Sequence, residues 1–543
     1  MSWTGHLIIL PIVLPMLAGA AMLFIDERQA ARKAAISLAT IVALIATATT
    51  LLIIANTRPP GISQVYRLAD WPAPFAIVLV NDRLSAIFLL LTSVLALAAA
   101  TYSIARWQKA GSHFQSLFQF LLMGLNGAFL TGDLFNLFVF FELLLAASYG
   151  LALHGSGRTR VRAGLHYIAV NLVASLFFLI GVSLIYAITG TLNMADIATR
   201  IPLVPPENRG MMGTGVAILG VAFLIKAGVW PLNFWLPPAY SAASPPVAAI
   251  FAIMTKVGVY VILRLWLLSF GPGTGASVQF GADWLLFGGM ATMIFGAIGM
   301  LGAQTGSRLT GFAVLISSGT VLAVIASGQP DALAPALFYL TSSTLALGAL
   351  FMLVELIDRG RDPVADMLAV TREAFGDEDE DEEDESEVGV IIPATMAFLG
   401  FSFICCTLMI AGLPPLSGFV GKFAILSALL DRTPDGVDIT PWTTIALFAL
   451  IVVTGLFALI AMLRIGIRSL WVPENVVTPQ VRVVEMAPVV GLLVITVAMT
   501  VMANPVMRYM QATAGEAQDR REYIHRVLPD ARLVVPPATG GIR

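Results

Sequence analysis

Long apolar runs, interrupted by short clusters of charge or turn residues, occupy this chain almost from end to end. They do not alternate in ten-residue strands as a lipid-spanning barrel would. Nothing between them is long enough to build a soluble core. As helices, runs of about 20 apolar residues match the thickness of a bilayer. Their edges place spans at 6–25, 34–56, 82–105, 113–131, 134–154, 164–190, 212–238, 245–270, 281–303, 309–328, 332–357, 390–430, 441–470 and 484–504. The fourth and fifth are parted only by Gly132 and Asp133, and the twelfth is too long for one straight crossing. The first does not read as a signal peptide: MSWTGH at 1–6 lacks a positive leader, and Leu7 to Ile25 is long enough to cross. The pattern predicts an all-α polytopic membrane protein of about fourteen transmembrane helices.

Two spans are punctuated. In the seventh, Lys226-Ala-Gly-Val-Trp-Pro-Leu leads into Trp235-Leu-Pro-Pro, with prolines at Pro231 and Pro237. In the twelfth, Ala411-Gly-Leu-Pro-Pro-Leu-Ser-Gly carries Pro414 and Pro415 and leads to Gly421 and Lys422. Proline removes an amide donor and clashes with the preceding turn, so each helix is expected to break there. Irregular backbone at membrane depth survives only where protein or water satisfies it. Breaks at corresponding places in two halves are the sequence sign of a transporter built from inverted repeats. A kink that merely aids packing is the plainer alternative.

Composition agrees with the pattern. Of 543 residues, 58% are hydrophobic and 12% charged, against about 25% charged in a soluble domain. The net charge of −3 conceals a run of ten acids between Asp377 and Glu387, without which the remainder stands at +7. That run is either a cation-attracting antenna or a solvated loop. Loops after odd-numbered spans hold fourteen Lys and Arg and those after even-numbered spans six, which places the odd loops in the cytoplasm and both termini outside. The arginines of the C-terminal tail run against this vote. Cys405 and Cys406 are adjacent in an apolar run and read as small buried side chains. The five histidines show no haem or metal spacing, so neither a redox centre nor a cofactor is expected.

Four charges stand out inside the apolar runs: Glu142, Lys226, Lys256 and Lys422. A charge at mid-bilayer costs about 2.5–3.5 kcal/mol on insertion scales, so each needs a reason. None has an opposite charge within a turn of its own helix, so partners must come from other helices. Snorkelling to an interface is the alternative, least suited to the short side chain of Glu142. Desolvation works against the charged form of acid and amine alike, and such a set can load and release protons near neutral pH. Asn136, Asn171, Ser175, Thr255, Ser317, Ser318, Ser342 and Ser343 could hold water between these stations. Serine and threonine in membrane helices more often bond their own backbone.

These strings resemble a family. Phe135 to Leu151, Lys226 with Trp235-Leu-Pro, Thr255-Lys-Val-Gly-Val-Tyr, and Gly412-Leu-Pro-Pro-Leu-Ser-Gly-Phe-Val-Gly-Lys are similar to the antiporter-like subunits shared by respiratory complex I and Mrp-type multisubunit cation/proton antiporters. On the Mrp side they most resemble the branch of D-type subunits. The resemblance runs from about residue 80 to 470. It implies three N-terminal helices in 1–110, inverted five-helix repeats in 111–270 and 271–470, and a last helix and tail in 471–543, with the acidic loop at 373–388. Glu142 and Lys226 match the family's glutamate–lysine pair, Lys256 its bridging lysine and Lys422 its terminal lysine. The implied activity is proton movement along a chain of water and polar side chains at the membrane midplane. The implied partners are protons, Na+, the bilayer and other subunits of a bacterial plasma-membrane complex, including a homologous large subunit; nothing points to nucleic acid.

There are departures. Where complex I relatives often carry histidine near the seventh helix, this chain has Tyr240; their tenth-helix histidine falls at about Ser317 and their eleventh-helix lysine at about Leu347. Water must therefore cover more of the distance from Lys256 to Lys422. His166 is either a substitute basic station or an interfacial residue. The rival readings are a proton-pumping subunit of an NADH dehydrogenase or related redox complex, and a scaffold that conducts nothing.

Overall fold

The computed structural model describes residues 3–58, 64–271, 280–360, 394–430, 442–470 and 481–529. The acidic run, Arg361, Arg372 and Arg432 lie outside these residues. Nineteen α-helices and one small hairpin carry the described chain. They are α1 (Leu10–Leu23), α2 (Ala30–Thr57), α3 (Arg83–Ala105), α4 (Phe114–Leu130), α5 (Leu134–Ala152), α6 (Arg158–Thr189) and α7 (Met194–Arg200). Then come α8 (Arg209–Ala227), α9 (Leu236–Ala242), α10 (Pro245–Phe270), α11 (Ala282–Gly302), α12 (Gly306–Ala326) and α13 (Leu333–Asp358). The last are α14 (Ala394–Ala411), α15 (Ser417–Leu430), α16 (Trp442–Leu470), α17 (Val483–Val501), α18 (Ala503–Gln518) and α19 (Arg520–Val527).

Twelve of these are long and apolar enough to cross a membrane, where the apolar runs led us to expect fourteen. The difference lies at α1 and α4, with 14 and 17 residues. At 1.5 Å per residue they rise about 21 and 26 Å, short of the ~30 Å hydrocarbon core. Part of the first apolar run is spent on a 3-10 turn, Trp3–Ile8, and α4 stops where Thr131 turns extended. The run at 390–430 is divided between α14 and α15.

Burial separates a centre from a rim. The most apolar window of α10 is wholly buried and those of α12 and α13 are 94% buried, whereas those of α2 and α6 are one-third buried. Lys256 thus lies on the innermost helix. Consecutive helical residues point about 100° apart, and only one of the two free cysteines meets this interior: Cys406 is buried and Cys405 half-exposed. That corrects the expectation that both are buried.

One end of the bundle is tied by polar contacts. Strands β1 (Val65–Arg67) and β2 (Val78–Val80) pair antiparallel, Val65 opposite Val80, and Leu79 bridges to Thr131. The buried Asp82 caps α3 through the Ser85 amide at 2.8 Å and takes two bonds from Arg264 of α10. Tyr260 donates to Phe129 O at 2.6 Å, and the Tyr523 ring lies 5.1 Å from the Arg264 guanidinium. The segment after α17, expected to be a tail, forms α18 and α19 across this end. Glu516 pairs with Arg58 and Arg83, each at 3.0 Å, and with Arg526, while Glu522 pairs with Arg58 and Arg526. Burial opposes ionisation of Glu522, but the Arg526 and Arg58 charges outweigh it and hold the carboxyl below its ordinary range.

Candidate functional site

Helix α8 stops at Ala227, and Gly228 takes the left-handed backbone (φ +69°) that favours glycine. The Gly228 and Val229 amides return to the carbonyls of Ile225 and Leu224 at 3.1 and 3.0 Å. Trp235 Nε1 donates to the same Ile225 carbonyl at 3.2 Å, and the Trp230 amide donates to Thr292 Oγ1 at 2.8 Å. Protein groups thus satisfy the backbone freed between α8 and α9. Lys226 lies in the last turn before this point, 7% exposed. Its Nζ donates to Asn171 Oδ1 of α6 at 3.0 Å and sits 5.6 Å from the Phe141 ring. Asn171 is held by donating to Tyr167 O at 2.8 Å.

Glu142 follows Phe141 on α5. It is half-buried, and its Oε1 is enclosed with no hydrogen-bond partner. Among the described residues no direct ion pair joins it to Lys226, which lies against the ring of the neighbouring Phe141. The Tyr149 hydroxyl, two turns along α5, is likewise buried without a partner. Beside it Ser148 and Tyr167 share a 2.7 Å hydrogen bond. Ser175 is buried one turn beyond Asn171.

At the centre, Lys256 is fully buried and donates to Ser317 Oγ at 2.8 Å and Ser318 Oγ at 2.9 Å. Ser317 shares a 2.8 Å hydrogen bond with Ser343 of α13. No carboxylate pairs with this ammonium among the described residues. Thr255 faces elsewhere: its hydroxyl meets the Tyr240 hydroxyl of α9 at 2.6 Å. The carboxyl end of α8 presses on this helix. A Cβ on Gly258 would stand 2.6 Å from the Ala227 nitrogen and 3.0 Å from the Lys226 carbonyl carbon.

The second interruption falls between α14 and α15. Leu408 O accepts from the Gly412 and Leu413 amides at 3.0 and 2.8 Å. Lys422 folds back from α15, 6% exposed, and donates to Ile410 O and Ala411 O at 2.9 and 3.0 Å. Its ammonium thereby closes the last carbonyls of α14, the negative end of that helix's dipole. The Tyr339 ring lies 6.0 Å away. Ser342 and Ser417 bond at 2.7 Å and join α13 to the start of α15. Gly455 of α16 lies against this break as Gly258 lies against the first, with Ala411 O at 2.7 Å from where its Cβ would be.

Of the residues singled out from sequence, Asn171 thus joins Lys226, Ser317 and Ser318 join Lys256, and Ser342 and Ser343 are shared with α15 and α12. Asn136 does not reach them; it bonds Thr131 and Asp133 in the first turn of α5. His166 is exposed on α6, its ring 5.4 Å from Phe234. Sequence reasoning missed Tyr167, Tyr339 and Ser417. The periodicity of α13 carried a signal for Tyr339, which stands three and four residues before Ser342 and Ser343. Among the described residues no three His, Cys, Asp or Glu side chains gather in a way that could hold a metal ion.

Known proteins resemble this chain as a whole. The family described as NADH:quinone oxidoreductase/Mrp antiporter, TM, matches residues 131–437. The chain is 56% identical to a Rhizobium meliloti (strain 1021) protein named as the D subunit of a probable K(+)/H(+) antiporter, over 98% of this chain and 99% of that one. It is 34% identical to the D subunit of the Na(+)/H(+) antiporter of Bacillus subtilis (strain 168), over 87% of this chain and 88% of the relative. Among solved structures, a chain of the Mrp complex from Dietzia sp. DQ12-45-1b superposes with a TM-score of 0.78 at 25% identity, covering 97% of this chain and all of that one.

Proposed function

From the premise that this chain belongs to the NADH:quinone oxidoreductase/Mrp antiporter transmembrane family, as a membrane antiporter subunit, we propose that it carries protons for monovalent cation/proton exchange. The route runs at mid-membrane from Glu142 and Lys226 through Lys256 to Lys422. One observation carries this reading: three lysines are buried with their ammoniums on neutral oxygens, and among the described residues only Lys226 has an acid near it whose oxygen lacks a partner. On this route a proton loaded on Glu142 cancels its negative charge near Lys226, and the change is passed along the lysines by repulsion. Water bridges the stations that no direct bond joins. The recurrence of a lysine beside each interruption, with a glycine packed on each, supports inverted repeats over 111–270 and 271–470. The chain is then a transporter subunit rather than an enzyme, seated in a bacterial plasma membrane with both termini outside.

The names of the relatives bear on the exchanged cation. Sodium fits the Bacillus protein; potassium is the second reading, favoured by the name of the 56% identical relative. The deciding experiment is proton flux in inverted vesicles from antiporter-deficient cells containing the assembled complex, with Na+ and K+ in turn. Glu142→Gln and Lys226→Ala are each expected to cut cation-dependent flux about tenfold or more, equivalent to ~1.4 kcal/mol. Flux that survives both substitutions in an assembled complex would make this chain a scaffold. Flux indifferent to cations but driven by NADH would place it in a redox pump.

A further inference from the structure

Helix α4 carries a second polar row that the lysine route does not use. Gln115, Ser116, Gln119 and Asn126 are at most 3% exposed. Gln115, Gln119 and Asn126 follow helical spacing on the side of α4 away from α5, since Leu117 and Gly124 are the residues that meet Gly150 and Leu144. Their amide nitrogens are all placed. Gln119 Nε2 donates to Ser37 Oγ at 2.9 Å and Ser37 O at 3.3 Å, and Asn126 Nδ2 donates to Pro11 O at 2.8 Å. Gln115 Nε2 donates to Ser103 Oγ and to Gln108 Oε1, each at 3.3 Å. Backbone carbonyls only accept, so these bonds fix which end of Gln119 and Asn126 is oxygen. Gln108 donates to Ile104 O, which fixes Gln115 in turn.

What remains is a set of four enclosed oxygens with no donor: Gln115 Oε1, Ser116 Oγ, Gln119 Oε1 and Asn126 Oδ1. Buried acceptors of this kind are satisfied by internal water in most proteins. From Gln115 to Asn126 the row rises about 16 Å, roughly half the hydrocarbon core. At its near end lies a charged mouth. Glu27 and His113 are half-exposed and 2.9 Å apart, and the buried Lys33, one turn before Ser37 on α2, meets Glu27 at 2.6 Å. The pairing neutralises the throat, and beyond it the lining is uncharged amide and hydroxyl.

We propose that α1–α4 enclose a water-filled half-channel, separate from the lysine route, which opens at Glu27 and His113 and ends at Asn126. Its ligand is a column of water that donates to the three amide oxygens and gives hydrated access halfway into the membrane. The test is thiol accessibility in vesicles bearing the assembled complex, with Cys405→Ser and Cys406→Ser as background. A charged, membrane-impermeant methanethiosulfonate is added to each face in turn, and exposed Arg28→Cys marks the face of the mouth. Ser37→Cys and Gln119→Cys are expected to react from that face only, about tenfold faster than Leu121→Cys, which is buried among apolar side chains. Rates no faster than that of Leu121→Cys, or labelling from the opposite face, would overturn the proposal. Ser37→Cys is nearly isosteric and decides the matter alone should Gln119→Cys fail to assemble.

Discussion

Lys226 precedes its helix interruption and Lys422 follows its own, and the two ammoniums are held by different chemistry. Lys226 rests on the Asn171 amide with Glu142 near; Lys422 rests on the carbonyls of Ile410 and Ala411 with no acid beside it among the described residues. Backbone carbonyls at a helix end are a fixed partial charge. A carboxyl group is a charge that a proton can switch. On the proposed route the first half therefore holds its lysine against a variable partner and the second against a constant one, and the signal would start in the first.

Five substitutions sharpen that contrast. The largest effect is expected from comparing Lys422→Met with Lys226→Met. Both should abolish most cation-dependent flux, but only the first should lower the melting temperature of the detergent-solubilised complex strongly. It strands two backbone carbonyls, at about 1–3 kcal/mol each, whereas Lys226→Met strands only the Asn171 side-chain oxygen. Equal melting temperatures would break the contrast. Next come Gly258→Ala and Gly455→Ala, which press a methyl group against Ala227 and Ala411 and should each cost about 1–3 kcal/mol by overpacking. The former should shift Lys226 and the latter Lys422, so the two flux profiles should resemble those of the respective lysine variants. Smallest is Ser317→Ala, since Ser318 still accepts from Lys256. A loss of ~1 kcal/mol, about fivefold in flux, is expected; no change would remove the serine cluster from the route.

The helices were legible because each rests on local chemistry, an apolar run being long enough or not; proline is a weaker signal, since Pro15 and Pro488 stand inside α1 and α17 without ending them. Glu142, Lys226, Lys256 and Lys422 were legible because a charge among apolar neighbours is conspicuous. Their partners were not. Asn171 and Lys226 are 55 residues apart, Ser317 and Lys256 61, and Arg264 and Asp82 182. Nothing in one helix says which polar side chain on another will meet it. The partners of Lys422 were hidden for another reason, since carbonyls leave no trace in residue identity. The row on α4 escaped notice because glutamine and asparagine in an apolar run look like dilution until their free oxygens are seen together. Helices α18 and α19 were overlooked because, with so few buried positions, neither resembles a span.

The contacts of those last two helices bear on how the molecule is made. Glu516 and Glu522 reach Arg58 and Arg83, more than 430 residues upstream. Synthesis runs from the N-terminus, so these arginines are in place long before their carboxylates exist. A nascent chain can insert every crossing and still have this seam undone. Closure comes only after α17 has emerged, and a chain cut short there would keep its crossings but present unpaired arginines at one end, a difference that a quality-control protease could read.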